Sequence, residues 1–171
     1  VISFEDEKLS FDAVLYATGR KPNTEGLALE NTDIKLTERG AIAVDEYCQT
    51  SVENIFAVGD VNGGPQFTYI SLDDSRIVLN YLNGDKDYSL KNRGAVPTST
   101  FTNPPLATVG LDEKTAKEKG YQVKSNSLLV SAMPRAHVNN DLRGIFKVVV
   151  DTETNLILGA RLFGAESHEL I

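Results

Sequence analysis

The amino-acid sequence predicts an α/β first half followed by an α+β second half built on an antiparallel sheet. Three observations carry this. Two continuous apolar runs, Ala13-Val14-Leu15-Tyr16-Ala17 and Ile55-Phe56-Ala57-Val58, stop at Thr18-Gly19 and Gly59-Asp60, as strands buried on both faces do. A helical stretch from Thr68 to Leu82 follows the second run, so strand and helix alternate. Beyond residue 96, short strands succeed one another across tight turns, which favours antiparallel pairing.

Taken in order, Val1-Ile2-Ser3-Phe4 opens in mid-strand, and Asp12 leads into the first apolar run. Arg39-Gly40 marks a turn between short strands at Asp33–Leu36 and Ala41–Val44. The glycine-rich Asn62-Gly63-Gly64-Pro65 precedes the helix, whose Ile70, Ile77 and Tyr81, with Leu72 and Leu79 beside them, suit packing on a sheet. Gly84 is placed to stop it. The polar stretch from Asn83 to Gly94 carries five charged residues and reads as a connector between domains. Strands are then expected at Thr98–Thr102 and Ala107–Val109, around Asn103-Pro104-Pro105. Asp112 can cap a short helix ended by Gly120. Three further strands are expected at Val123–Val130, Ile145–Val150 and Leu156–Phe163, the last two joined across Asp151–Asn155. The segment from Ala165 to Ile171 reads as a helix start without a helix end, and with the mid-strand opening it suggests a piece of a longer protein.

Composition narrows the function classes. Of 171 residues, 41% are hydrophobic and 24% charged, which is globular and not disordered. Acidic residues outnumber basic ones 24 to 17, a formal charge of −7, which disfavours nucleic acid and anionic membrane surfaces as partners. No apolar run approaches a membrane span, and Val1–Asp6 lack a signal-peptide pattern. The single cysteine, Cys48, rules out an internal disulfide and fits a reducing, cytoplasmic setting. With two histidines far apart, no metal site is expected.

The chemistry-bearing stretches begin with Gly59-Asp60. At the carboxyl end of a strand it puts a carboxylate where α/β folds bind ligands. Glycine allows close backbone approach, and the aspartate can accept hydrogen bonds from sugar-like hydroxyls. An ordinary aspartate-containing turn is the competing reading. Three other stretches accompany it: Ala17-Thr18-Gly19-Arg20-Lys21-Pro22-Asn23, Pro97–Gly110 with Phe101-Thr102-Asn103-Pro104-Pro105, and Gly159–Ile171.

In this order the four stretches resemble the carboxyl-terminal part of the flavin-dependent pyridine nucleotide-disulfide oxidoreductases, the family of glutathione, lipoamide and mercuric reductases. Asp60–Asp74, Pro134-Arg135-Ala136, Asn140–Gly144 and Ser167–Ile171 resemble more closely the branch of reactive-chlorine-resistance flavoproteins, regarded as hypothiocyanous acid reductases. Mercuric reductases share the Pro-Arg-Ala and Asp-x-Arg-Gly features and stand next.

The resemblance implies an FAD-domain remnant followed by a dimerisation domain. Residues 1–20 would be the tail of an NAD(P)-binding domain, 21–94 the end of an FAD-binding domain, and 95–171 a truncated interface domain. It implies that Asp60, with Gly59, binds an FAD ribityl hydroxyl. It also implies that Phe67, Thr68 and Tyr69 start a helix under the flavin, its positive end stabilising charge on the reduced ring. Tyr69 stands where the family usually has proline, and backbone amides still carry that role. Thr18 and Gly19 would line a turn near the cofactor, although Gly19 equally suits a turn that needs positive φ.

No catalytic residue is expected within this chain. The family's Cys-x-x-x-x-Cys pair is not in it, Cys48 is read as structural or surface, and His168 opens an interface helix. His137 is read as facing solvent or a partner chain, and Arg135 and Arg143 as loop and interface residues. The implied whole is a homodimeric, cytoplasmic FAD enzyme, joined through residues 96–171, that uses NAD(P)H to reduce a small-molecule oxidant, a reactive chlorine or sulfur species. The alternatives are a mercuric- or disulfide-reductase activity, or a non-catalytic dimerisation module.

Overall fold

A computed structural model describes residues 2–4 and 7–171; Val1, the first residue of the expected opening strand, lies outside the described residues. The chain divides into two compact units, residues 1–92 and 93–171. The division falls inside the polar stretch Asn83–Gly94.

The first unit opens with a hairpin, β1 (Ile2–Phe4) antiparallel to β2 (Glu7–Leu9), with Ile2 opposite Leu9. The expected strand at Ala13–Ala17 is not formed. Its residues are exposed, Leu15 by 89% and Tyr16 by 85%. A continuous apolar run becomes a buried strand only when backbone neighbours satisfy its amides and other layers cover its faces, and no described segment pairs with this one. The second run is corrected likewise: only Phe56 forms a bridge, to Gln49. Ala57 is buried while Ile55 and Val58 face outward. The strands expected at Asp33–Leu36 and Ala41–Val44 reduce to one bridge, Leu36 to Ile42.

Side chains and short loops hold this region instead. Ser51 Oγ accepts from the Lys35 amide at 2.8 Å and donates to the Asp33 carbonyl at 2.8 Å. The Asp45 carboxylate accepts from the Tyr47 and Gln49 amides at 2.8 and 2.9 Å. The Ile42 amide reaches the Val61 carbonyl at 2.9 Å, joining the 36–42 loop to the Gly59–Asn62 turn.

Helix α1 (Thr68–Leu82) has the expected bounds. Its inward stripe is Ile70, Asp74 and Ile77, and Tyr81 extends it by packing against Tyr47 and Phe56 at 5.1 and 5.8 Å between ring centres. Leu72 and Leu79, expected beside that stripe, are more than half exposed, because at 100° per residue they fall off the face that Asp74 occupies. The following polar stretch does not run free. The Leu90 amide bonds the Glu46 carbonyl at 2.8 Å, Lys91 pairs with Glu46 at 2.9 Å, and Tyr88 donates to Asp73 at 2.8 Å.

In the second unit five strands, β3 (Thr98–Thr100), β4 (Leu106–Gly110), β5 (Val123–Leu129), β6 (Ile145–Asp151) and β7 (Ile157–Phe163), form one sheet in the order β3-β4-β7-β6-β5. Every pairing is antiparallel, as the run of consecutive strands predicted. β6 and β7 form the expected hairpin, with a register shift at Val149/Val150. Asp151 is buried in its turn and accepts from Thr154 Oγ1 at 2.5 Å.

Asp112 caps α2 (Glu113–Glu118) by accepting from the Thr115 amide at 2.7 Å. Glu113, on α2, reaches Lys147 of β6 at 2.9 Å and Ser125 of β5 at 2.8 Å, which fastens the helix to the sheet. The Pro134-Arg135-Ala136 motif opens a one-turn helix, α3 (Pro134–Val138), that periodicity did not reveal, with the proline in its first turn. α4 (Ser167–Leu170) is the expected helix start. Its Ser167 is buried and donates to the Pro105 carbonyl at 2.7 Å. No described helix is long and apolar enough to cross a membrane.

Candidate flavin site

The Gly59-Asp60 pair does not end a regular strand; it opens a one-turn 3-10 helix, Gly59–Asn62. Gly59 is buried at φ +73°, and a Cβ there would lie 2.6 Å from Ser71 Oγ. The conformation requires glycine, and the contact would require the Ser71 side chain to move. Asp60, next in the chain, is exposed, so its carboxylate is accessible to a ligand. The turn is bound to α1 by Asp74, whose Oδ2 accepts from the Gly59 amide at 2.8 Å and from Asn62 Nδ2 at 2.9 Å.

The amino end of α1 is the second component. Phe67 is its extended N-cap residue, and its carbonyl accepts from the Ile70 and Ser71 amides at 3.0 and 3.2 Å. The first turn of such a helix presents N–H groups outward along the axis and carries partial positive charge. Phe67 and Tyr69 stack with ring centres 5.3 Å apart. Burial raises the Tyr69 phenol pKa, so it stays a neutral hydroxyl at physiological pH.

Gly19 has φ +132°, and a Cβ would meet nothing within 4 Å, so the turn's conformation alone accounts for glycine there. Directly after it, Arg20, Lys21 and Pro22 line a cavity of about 740 Å³ together with Arg39, Asn62, Gly63 and Gln66. The residues that follow Gly19 and the last residue of the Gly59–Asn62 turn meet at this cavity, but Gly19, Gly59, Asp60, Phe67, Thr68 and Tyr69 are not among its lining residues. Three of the lining side chains are cationic and one, Glu38, is anionic. The sequence assigns none of Asn62, Gln66 and Arg39 a ligand role: Asn62 and Gln66 belong to the Asp60–Asp74 stretch of the resemblance, and Arg39 to a turn.

The remaining candidates lie elsewhere. Cys48 is fully buried at φ +63°, a structural position and not a surface one. His137 Nε2 lies 2.8 Å from the Ser131 carbonyl on the second unit. His168 packs edge-on against Phe101 at 5.3 Å and stands 3.6 Å from Glu169. Arg143 pairs with Asp141 at 2.8 Å and donates to Asn103 Oδ1 at 3.0 Å, which ties two loops together. That pairing holds the Asp141 carboxyl down at about 2. Among the described residues no cluster of histidine, cysteine and carboxylates could hold a metal ion.

Sequence comparison matches residues 1–75 to the pyridine nucleotide-disulphide oxidoreductases and residues 96–171 to the dimerisation domain of the same proteins. The chain belongs to the pyridine nucleotide-disulphide oxidoreductase family. Among its relatives is the probable pyridine nucleotide-disulfide oxidoreductase RclA of Escherichia coli, 49% identical over 98% of this chain and 38% of the relative. Mercuric reductase of Staphylococcus aureus is 43% identical over 99% of this chain and 31% of that protein. The solved Cu(II) complex of the HOCl-induced flavoprotein disulfide reductase RclA superposes with a TM-score of 0.91, at 48% identity over 98% of this chain and 38% of that one. The chain therefore spans about 38% of the length of RclA and less of the mercuric reductase.

Proposed function

We propose that this chain works within a homodimeric, FAD-dependent NAD(P)H oxidoreductase that reduces a small-molecule oxidant. The observation that supports this most directly is the exposed Asp60 on a turn fastened to α1 through Asp74, inside the stretch matched to the family.

The residues present fit one end of a flavin. Asp60 suits the ribityl hydroxyls, with Gly59 allowing close approach. Phe67, Thr68 and Tyr69 would hold the flavin edge that gains negative charge on reduction at the positive end of the helix. Gly19 shapes the turn that leads into Arg20, at the cavity lined by Arg20, Lys21, Arg39 and Glu38. Bound FAD would supply two-electron transfer from the nicotinamide to a cysteine pair, whose dithiol then reduces the oxidant. Cys48 takes no part in that step, being buried and single. The substrate reading, a reactive chlorine or sulfur oxidant, is supported by the RclA likeness; the mercuric reductase likeness supports Hg(II) as the second reading.

The test uses the product of the complete gene. It is expected to purify yellow, to bleach anaerobically with NADPH or NADH, and to recover its colour with hypochlorous or hypothiocyanous acid faster than with Hg(II) or glutathione disulfide. A colourless product that reconstitution with FAD leaves colourless would remove the reading. Preferential turnover of Hg(II) would select the second substrate.

A further inference from the structure

We propose that Asp74 is a positioning residue for the cofactor: its buried carboxylate fastens the Gly59–Asp60 turn to helix α1, so that Asp60 and the helix end meet the flavin as one rigid unit. This inference rests on the flavin reading above.

The geometry is specific. Asp74 is 1% exposed, yet sits in the apolar stripe of α1, between Ile70 and Ile77. An aliphatic residue there would avoid the cost of burying a carboxylate. Its Oδ2 accepts from the Gly59 amide at 2.8 Å and from Asn62 Nδ2 at 2.9 Å, so one oxygen holds the first and last residues of the 3-10 turn. Asn62 extends the clamp in both directions. Its Nδ2 also donates to the Ala57 carbonyl at 3.2 Å, and its Oδ1 accepts from the Gly64 amide at 2.9 Å.

The segment from Ala57 to Gly64, including the exposed Asp60, is thereby referenced to a point less than two turns from the start of α1. Charge-assisted bonds to a buried carboxylate are shorter and stiffer than neutral ones. They suit a carboxylate, Asp60, that must meet a hydroxyl within a few tenths of an ångström of a fixed place. Asp74 itself is too deeply buried to touch a ligand and acts through the turn.

The experiment is a double-mutant cycle in the flavin-loaded product of the complete gene, reading FAD affinity, the visible flavin spectrum and the melting temperature of the apoprotein. Asp60→Ala is expected to weaken FAD binding about tenfold or more. Asp74→Asn, which keeps the shape and a neutral acceptor, is expected to weaken it about three- to tenfold and to blur the resolved shoulders of the flavin band. In the Asp60→Ala background, Asp74→Asn is expected to cost no further affinity, because the carboxylate it positions is gone. Additive losses of affinity, or a lowered melting temperature with unchanged affinity and spectrum, would show a purely structural role and overturn the inference. Should Asp60→Ala itself leave FAD affinity unchanged, the flavin assignment of that turn fails, a result distinct from failure of Asp74 alone. Asn62→Ala provides a second route: it removes the other half of the clamp and is expected to reproduce the spectral change with Asp74 intact.

Discussion

At the scale of single residues, the site depends on backbone geometry more than on unusual side chains. Gly59 is the clearest case: any Cβ there meets Ser71 Oγ at 2.6 Å, at a φ that L-residues rarely adopt. Gly59→Ala is expected to cost about 1–3 kcal/mol of stability from the conformation alone. The Ser71 side chain can rotate away, so the contact adds little. Urea unfolding of the variant checks this, and a midpoint equal to wild type would show that the turn relaxes without cost. Arg143 illustrates the opposite arrangement, a side chain that organises loops: its bonds to Asp141 and Asn103 bring residues 141 and 103 together.

At the scale of elements, α1 and α2 are held by buried or bridging carboxylates. In α2, Glu113 accepts hydrogen bonds from Lys147, Lys117 and Ser125, in that order of effect, which lowers its pKa from the ordinary 4.5 to about 2. The folded value lies below the unfolded one. The stabilisation is therefore complete above about pH 4.5 and is lost as the pH falls toward 2. Asp141, held near 2 by Arg143, adds to the same loss from about pH 3.8 downward. Thermal unfolding from pH 6 down to pH 2 is expected to show a falling melting temperature, with a shallower fall in Glu113→Gln because that variant no longer takes up the proton. Equal slopes for the two proteins would mean that the Lys147 pair contributes nothing measurable, as many surface ion pairs do not.

For the whole molecule, two outcomes follow from what the chain contains. Asp60 and the helix end supply only part of the contacts a dinucleotide needs, and immobilising so large a ligand costs more than a few hydrogen bonds return. The 171-residue chain is expected to purify colourless, and a stoichiometric flavin band in its absorbance spectrum would relocate the binding energy to this part of the protein. Its second unit matches a dimerisation domain and leaves Phe101, Val138, Leu129 and Ile157 at least half exposed. A two-fold contact is self-complementary, and interfaces of the obligate kind bury roughly 2,000 Å² or more. Light scattering over a dilution series is expected to show a dimer that dissociates within the accessible concentration range. A strict monomer at high concentration would place the decisive contacts outside residues 96–171.

Periodicity and turn chemistry determined the strands of the second unit, the Asp112 cap and the 151–155 hairpin, which are local in origin; the pairing of β4 with β7, more than forty residues apart in sequence, was a tertiary decision. The bounds of α1 were legible for the same reason. So were the family motifs, because Gly59-Asp60 and Ala17–Asn23 are contiguous in the chain. Tertiary structure decided the rest. Ala13–Ala17 and Ile55–Val58 carry the pattern of buried strands, but a strand exists only through backbone partners, and a sequence pattern does not show whether partners are present. Leu72 and Leu79 face solvent while Asp74 is buried, which inverts what hydropathy alone would assign. One signal was available for Asp74, a carboxylate interrupting the stripe Ile70, Ile77, Tyr81. Its meaning lay in the Gly59 amide, fifteen residues away in sequence and 2.8 Å away in space. A buried charge is tolerated only where donors converge on it, and that convergence is a property of the folded chain.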